Sequence, residues 1–138
     1  MTPFHLAFPV RDLDETRAFY GAVLGCAIGR SSDSWVDFDL FGHQMSAHLR
    51  PATVKAANGN EVDGKAVPIP HFGVVLVMPE WEELAKRLES RPDIDWVERP
   101  MVRFKGEPGE QATLFIRDPS GNALEFKGFR SLAQVFAH

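Results

Sequence analysis

The chain has 138 residues, with 15 Lys and Arg against 19 Asp and Glu, and its formal net charge of −4 argues against the basic stripe of a nucleic-acid binder. Its composition, 44% hydrophobic and 25% charged, is that of a globular protein, and its uncharged apolar runs, 21–29 and 72–78, fall short of the roughly 18 residues that a membrane span needs. Cys26 is the single cysteine, which excludes an intrachain disulfide or a cysteine zinc cluster, and Met1–Val10 lacks the basic start of a secretory leader, so a cytoplasmic address is expected.

From Phe4 the chain alternates, with Phe4, Leu6, Phe8 and Val10 on one side of a predicted strand and His5, Ala7 and Pro9 on the other. Asp12 followed three residues later by Glu15 is a capping-box arrangement. Phe19, Tyr20, Val23 and Leu24 then recur on one helical face before a stop at Gly25. Alternation returns over Trp35–Leu40, with Val36, Phe38 and Leu40 opposite Asp37 and Asp39, and after Phe41-Gly42 a return strand is expected over Gln44–Leu49. The unit reads βαββ or βαβββ. Residues 50–70 contain no aromatic, three prolines and the turn-prone pairs Asn58-Gly59 and Asp63-Gly64, and read as a connection. His71–Val77 then repeats the opening strand, Pro79 takes a first helical position, and Trp81, Leu84, Ala85 and Leu88 form a core-facing helical stripe. Strands near 96–104 and 112–117 flank a loop at Lys105–Glu110, and Asp118-Pro119-Ser120-Gly121 turns into a last strand, Asn122–Lys127.

The order of strand, helix and strands thus occurs twice, which predicts an α+β fold of two modules, each βαββ or βαβββ, within a single domain. Their expected bounds are 1–50 and 71–130, joined by 51–70 and followed by a tail, 131–138. His5 and His71 open equivalent strands and face away from the helices, so both are expected to line one trough. In the last strand Leu124 and Phe126 take the apolar side, leaving Glu125 for the trough. Two imidazoles and one carboxylate form a three-donor set with open positions, suited to non-haem Fe(II), with Mn, Ni, Co or Zn also admissible. A carboxylate left unpaired in an apolar trough is costly, so Glu125 needs a cation. Lys127, on the same strand face, is the alternative partner to a metal.

The runs His5-Leu-Ala-Phe-Pro-Val-Arg-Asp-Leu, Phe19-Tyr-Gly-Ala-Val-Leu-Gly, His71-Phe-Gly-Val and Asp118-Pro-Ser-Gly-Asn-Ala-Leu-Glu-Phe resemble the vicinal oxygen chelate superfamily, which includes glyoxalase I, extradiol dioxygenases and bleomycin-resistance proteins. The resemblance implies paired βαβββ modules curled as an open half-barrel around a metal held by His5, His71 and Glu125, with a small molecule as substrate. The runs Phe41–Gln44 and Arg103–Glu110 are most similar to an extradiol dioxygenase-like branch, which implies Fe(II), a catechol-type substrate, O₂ and an acid/base group. His48 is the candidate for that group, against a purely structural or exposed role. Arg103 and Lys105 beside the loop at Gly106–Gly109 are candidates to hold a substrate carboxylate, against a role as solvated hairpin charges. Two other functions stay open: a glyoxalase-like lyase or isomerase using a redox-inert metal, and a metal-free drug-sequestering protein. Exposed sheet edges and the family's habits imply a homodimer.

Overall fold

Asp12 starts the first helix as expected, its Oδ1 accepting from the Glu15 N–H at 2.8 Å in the computed structural model, which describes residues 2–54 and 67–138. Only half of the expected capping box forms. The Glu15 carboxylate turns instead to Arg11, whose Nε and Nη2 donate to it at 2.5 and 3.2 Å.

The element order among the described residues is β1 His5–Val10, α1 Leu13–Arg17, a π-helical continuation Ala18–Val23, β2 Ala27–Ser31, β3 Trp35–Leu40, β4 His43–Leu49, β5 Phe72–Val77, α2 Met78–Glu89, β6 Asp95–Arg103, β7 Gln111–Arg117 and β8 Ala123–Phe129, with a 3-10 turn at Leu132–Gln134. Both modules are therefore βαβββ. The strand that the sequence left open is β2, an edge strand exposed along its whole length, so it carries no alternating apolar signal. Pro79 lies one position further into its helix than expected, since α2 begins at Met78. The turn pairs Asn58-Gly59 and Asp63-Gly64, and most of the expected connection, lie outside the described residues. No helix among the described residues is long and apolar enough to cross a membrane.

The chain divides into two units, Met1–Asn58 with Asp118–Asn122, and Gly59–Arg117 with Ala123–His138. The first contains a sheet in the order β1-β4-β3-β2 and the second a sheet in the order β5-β8-β7-β6. In each, the opening strand runs parallel to the last and the remaining pairs are antiparallel.

In the first unit the core forms around Tyr20, fully buried against Phe8, Phe19 and Phe38 with ring centroids 5.0–5.5 Å apart. The expected α-helix becomes π-helical over this stretch, with the Leu24 N–H reaching the Phe19 carbonyl at 2.9 Å, and it ends at Gly25, whose φ of +77° favours glycine. The Tyr20 hydroxyl donates at 2.8 Å to Asp118, whose carboxylate also accepts from the Ser120 N–H and from the Asn122 N–H and Nδ2, each at 2.9 Å. Ser120 and Asn122 in turn bind the Arg11 N–H and the Pro9 carbonyl, so the turn expected at 118–121 packs with β1 and its helix. Burial pushes the Asp118 carboxyl and the Tyr20 phenol above their ordinary values. Tyr20→Phe is expected to lower stability by about 1–2 kcal/mol through the lost buried bond, read as a lower denaturant midpoint with unchanged slope.

In the second unit α2 packs against its sheet through Trp81, whose indole N–H donates to the Phe126 carbonyl at 3.0 Å. The hairpin loop after β6 is held by the buried carboxylate of Glu110, which accepts from the Gly106 N–H at 2.8 Å and pairs with Arg130. Arg130 first, and the Gly106 N–H second, hold the Glu110 carboxyl below its usual range. A depressed folded-state value means stability that is present above the ordinary glutamate range and is lost as pH falls through the lowered value. The protection factors of the loop amides, exchange rates corrected for their intrinsic pH dependence, are therefore expected to fall in acid, and Glu110→Gln should remove that fall.

Candidate metal centre

Glu125 lies in β8 with Gly73 of β5 on one side and Phe115 of β7 on the other. Only glycine fits beside it: a Cβ at position 73 would lie 1.6 Å from the Glu125 carbonyl oxygen. His71 immediately precedes β5, and its Nε2 stands 3.3 Å from Glu125 Oε1. The Thr113 hydroxyl donates to Glu125 Oε2 at 2.6 Å, and the Phe115 ring meets the imidazole edge-on with centroids 4.8 Å apart. The other imidazole nitrogen, Nδ1, is 2.7 Å from the Pro68 carbonyl. A carbonyl only accepts, so Nδ1 carries the proton, and in the neutral ring Nε2 presents its lone pair to the carboxylate. Two electron-rich groups so placed need a proton or a cation between them. A metal-ligating histidine characteristically gives its other N–H to a carbonyl or carboxylate, so the donor set fits a divalent ion. The side chain facing Glu125 is His71 rather than Lys127, which pairs in register with Val75 and Thr113.

In the first unit His5 opens β1 opposite Gln44 of β4, and its Nδ1 lies 2.9 Å from Gln44 Oε1. Two residues further on, Ala7 pairs with Ser46, which pairs with Asp37 of β3. The registers make His5, Ala7 and Ser46 the counterparts of His71, Gly73 and Glu125. The place of the carboxylate is thus taken by a serine, whose hydroxyl donates to Asp37 Oδ1 at 2.6 Å. Gln44 Nε2 donates to Asp37 Oδ2 at 3.2 Å. Within either unit the described residues hold no group of three or more His, Cys, Asp or Glu side chains of metal-ligand kind. The second unit brings His71 and Glu125 together, and in the first His5 faces Gln44.

The remaining expected site residues stand further off. His48 pairs with Pro9 and Trp35, four residues along β4 from Gln44, roughly 13 Å at strand spacing. His43 opens β4, its Nδ1 accepting from the Phe4 N–H at 2.9 Å. Arg103 pairs with Gln111, four residues along β7 from Phe115, and Lys105 follows it in the loop; both are exposed.

A family model described as the Glyoxalase/Bleomycin resistance protein/Dioxygenase superfamily matches residues 2–126. The chain belongs to this superfamily. Among solved structures, this superfamily member is similar to a glyoxalase/bleomycin resistance protein/dioxygenase from Alicyclobacillus acidocaldarius, at 32% identity over 98% of this chain and 96% of that one, with a TM-score of 0.77. It shares its fold with the fosfomycin resistance protein FosX of Listeria monocytogenes, at 16% identity over 97% of each chain and a TM-score of 0.69. It does so also with a lactoylglutathione lyase from Agrobacterium tumefaciens, at 20% identity over 94% of each chain and a TM-score of 0.63. A search of curated proteins gave no match.

Sequence reasoning on this superfamily member missed the groups that orient the donors. Pro68 and Thr113 act through a carbonyl and a hydroxyl that any residue or a small polar side chain can supply, so neither carries a signal in one sequence. Gln44 and Asp37 were visible only as strand residues, and the registers that join them to His5 depend on pairing.

Proposed function

We propose that the protein is a divalent-metal-dependent enzyme acting on a small molecule, with His5, His71 and Glu125 as the metal ligands. The observation that carries this reading is the His71–Glu125 pair, in which a protonated Nδ1 on Pro68 leaves Nε2 and a carboxylate oxygen 3.3 Å apart with only a cation or proton to reconcile them. Ser46, engaged with Asp37, stands where a fourth ligand would otherwise come from, and a two-histidine, one-carboxylate set with open positions favours Fe(II) and an extradiol-type dioxygenase on a catechol-like substrate. When bound, Fe(II) would supply chelation of two vicinal oxygens and a place for O₂. The chain's own residues do the rest. Pro68 and Thr113 orient the donors, and Phe115 closes one side of the imidazole to water. His48, on the same strand face as Ser46, is the proposed acid/base that takes a proton from a substrate hydroxyl, and Arg103 and Lys105 are the proposed holders of a substrate carboxylate.

The second reading is a lyase or isomerase on a redox-inert Mn, Ni, Co or Zn ion, favoured by the fold shared with the Agrobacterium protein. A cytoplasmic homodimer is the proposed working form. Anaerobic loading with Fe(II), followed by oxygen-electrode assays on a catechol panel and a parallel hemithioacetal assay with Ni or Zn, separates the two. The dioxygenase reading predicts oxygen uptake with a coloured ring-fission product; turnover of the hemithioacetal without oxygen would replace it by the second reading.

A further inference from the structure

We propose that Asp37 is a positioning residue that sets the tautomer of His5 through Gln44, and so decides whether His5 presents a metal-binding nitrogen. The argument rests on the reading of His5 as a ligand, and on the logic of donors and acceptors. Asp37 is buried in β3, and its carboxylate takes two hydrogen bonds, from Ser46 Oγ at 2.6 Å and from Gln44 Nε2 at 3.2 Å. An ionised carboxylate accepts and never donates, so the Gln44 amide must turn its NH₂ towards Asp37. Its carbonyl Oε1 is then the atom left for His5, 2.9 Å from Nδ1, and can only accept. Nδ1 must therefore hold the proton and Nε2 the lone pair. The second unit reaches the same tautomer by a backbone carbonyl, Pro68 to His71 Nδ1 at 2.7 Å. The two histidines are thus prepared alike by different means, one through a fixed backbone group and one through a buried charge that reaches it by an amide.

The difference matters because His5 and Gln44 are exposed, and an unrestrained imidazole in water prefers the proton on Nε2. Without the carboxylate the Gln44 amide is free to flip, and its NH₂ then faces Nδ1 and stabilises the tautomer that cannot bind a metal through Nε2. Ser46 has a separate part: it occupies the second carboxylate oxygen and holds Asp37 in place, without selecting either face of the amide.

The test uses the full-length protein without metal. Long-range ¹H–¹⁵N correlation spectra, recorded well above the ordinary histidine titration range, report the tautomer of His5 directly. The wild type is expected to show the Nδ1–H form, Asp37→Asn a mixture moved towards Nε2–H, and Ser46→Ala the wild-type form. In Asp37→Asn combined with Gln44→Glu, the new carboxylate accepts from both residue 37 and His5, and the Nδ1–H form should return. Titration with Co(II) should follow the same order, with affinity reduced roughly 10–100-fold in Asp37→Asn and recovered in the double variant. Asp37→Asn with an unchanged tautomer, or a double variant that fails to restore it, would overturn the proposal. If His5 is no ligand, His5→Ala leaves Co(II) affinity unchanged while the tautomer still follows Asp37, which separates failure of the relay from failure of the metal assignment.

Discussion

Glu125→Gln is expected to weaken divalent-metal binding by more than about 100-fold, since even an outer partner of a ligand is worth 10–100-fold, while leaving the metal-free protein as stable as before or slightly more so. The substitution keeps the shape of the side chain and the acceptor for the Thr113 hydroxyl, 2.6 Å away. It removes the charge that faces the His71 lone pair at 3.3 Å. The sign of the stability change carries the information. In a site built for a cation, the empty carboxylate is a liability, and neutralising it costs the apo fold nothing. Were the pair a structural ion bridge between imidazolium and carboxylate, the same change would lower the melting temperature of the apo protein and leave metal uptake untouched. Isothermal titration with Co(II) and thermal melts with and without metal distinguish the two.

Gly73→Ala is expected to lower stability by about 3–5 kcal/mol, the range reserved for a named steric or packing failure, and to weaken metal binding with it. A Cβ there would lie 1.6 Å from the Glu125 carbonyl oxygen and 2.6 Å from its carbon. These are backbone atoms of the paired strand, so no side-chain rotation relieves the clash, and β5 and β8 must part where Gly73 and Glu125 face each other. The donors then separate too, because His71 enters β5 two residues before Gly73. Gly109→Ala is the matched control: a Cβ there meets nothing within 4 Å, and the change should stay within about 0.5 kcal/mol of neutral. Denaturant midpoints measure both, and a Gly73→Ala protein with the wild-type midpoint would show that the close approach of these strands is not required.

The two modules were legible because their buried strands alternate and their helices carry apolar stripes; Phe8, Val10, Phe38, Leu76, Trp81 and Leu88 are all core residues. β2 was left open because it is an edge strand with nothing buried, and hydrophobic periodicity reports burial rather than hydrogen bonding. The π-helical stretch keeps the same buried residues as an α-helix would, so the pattern Phe19, Tyr20, Val23 and Leu24 does not tell them apart. In the candidate site, Glu125 and His71 could be expected together from strand parity. His48 shares strand parity with Ser46, but parity carries no distance; the register that puts His48 opposite Pro9 and Gln44 opposite His5 comes only from strand pairing. Asp118 was read as a turn former, which it is; its bond to Tyr20, across nearly a hundred residues of sequence, is a tertiary fact with no local trace.

The claim on which the functional account rests is that His5, His71 and Glu125 bind one ion. Crystals of the full chain grown with Co(II), with diffraction recorded on both sides of the cobalt absorption edge, test it most directly. The account predicts an anomalous peak about 2.0–2.2 Å from an Nε2 atom of His5, an Nε2 atom of His71 and a Glu125 carboxylate oxygen. A peak bound by other side chains, or His71 and Glu125 still in direct contact with no ion between them at saturating Co(II), would contradict it.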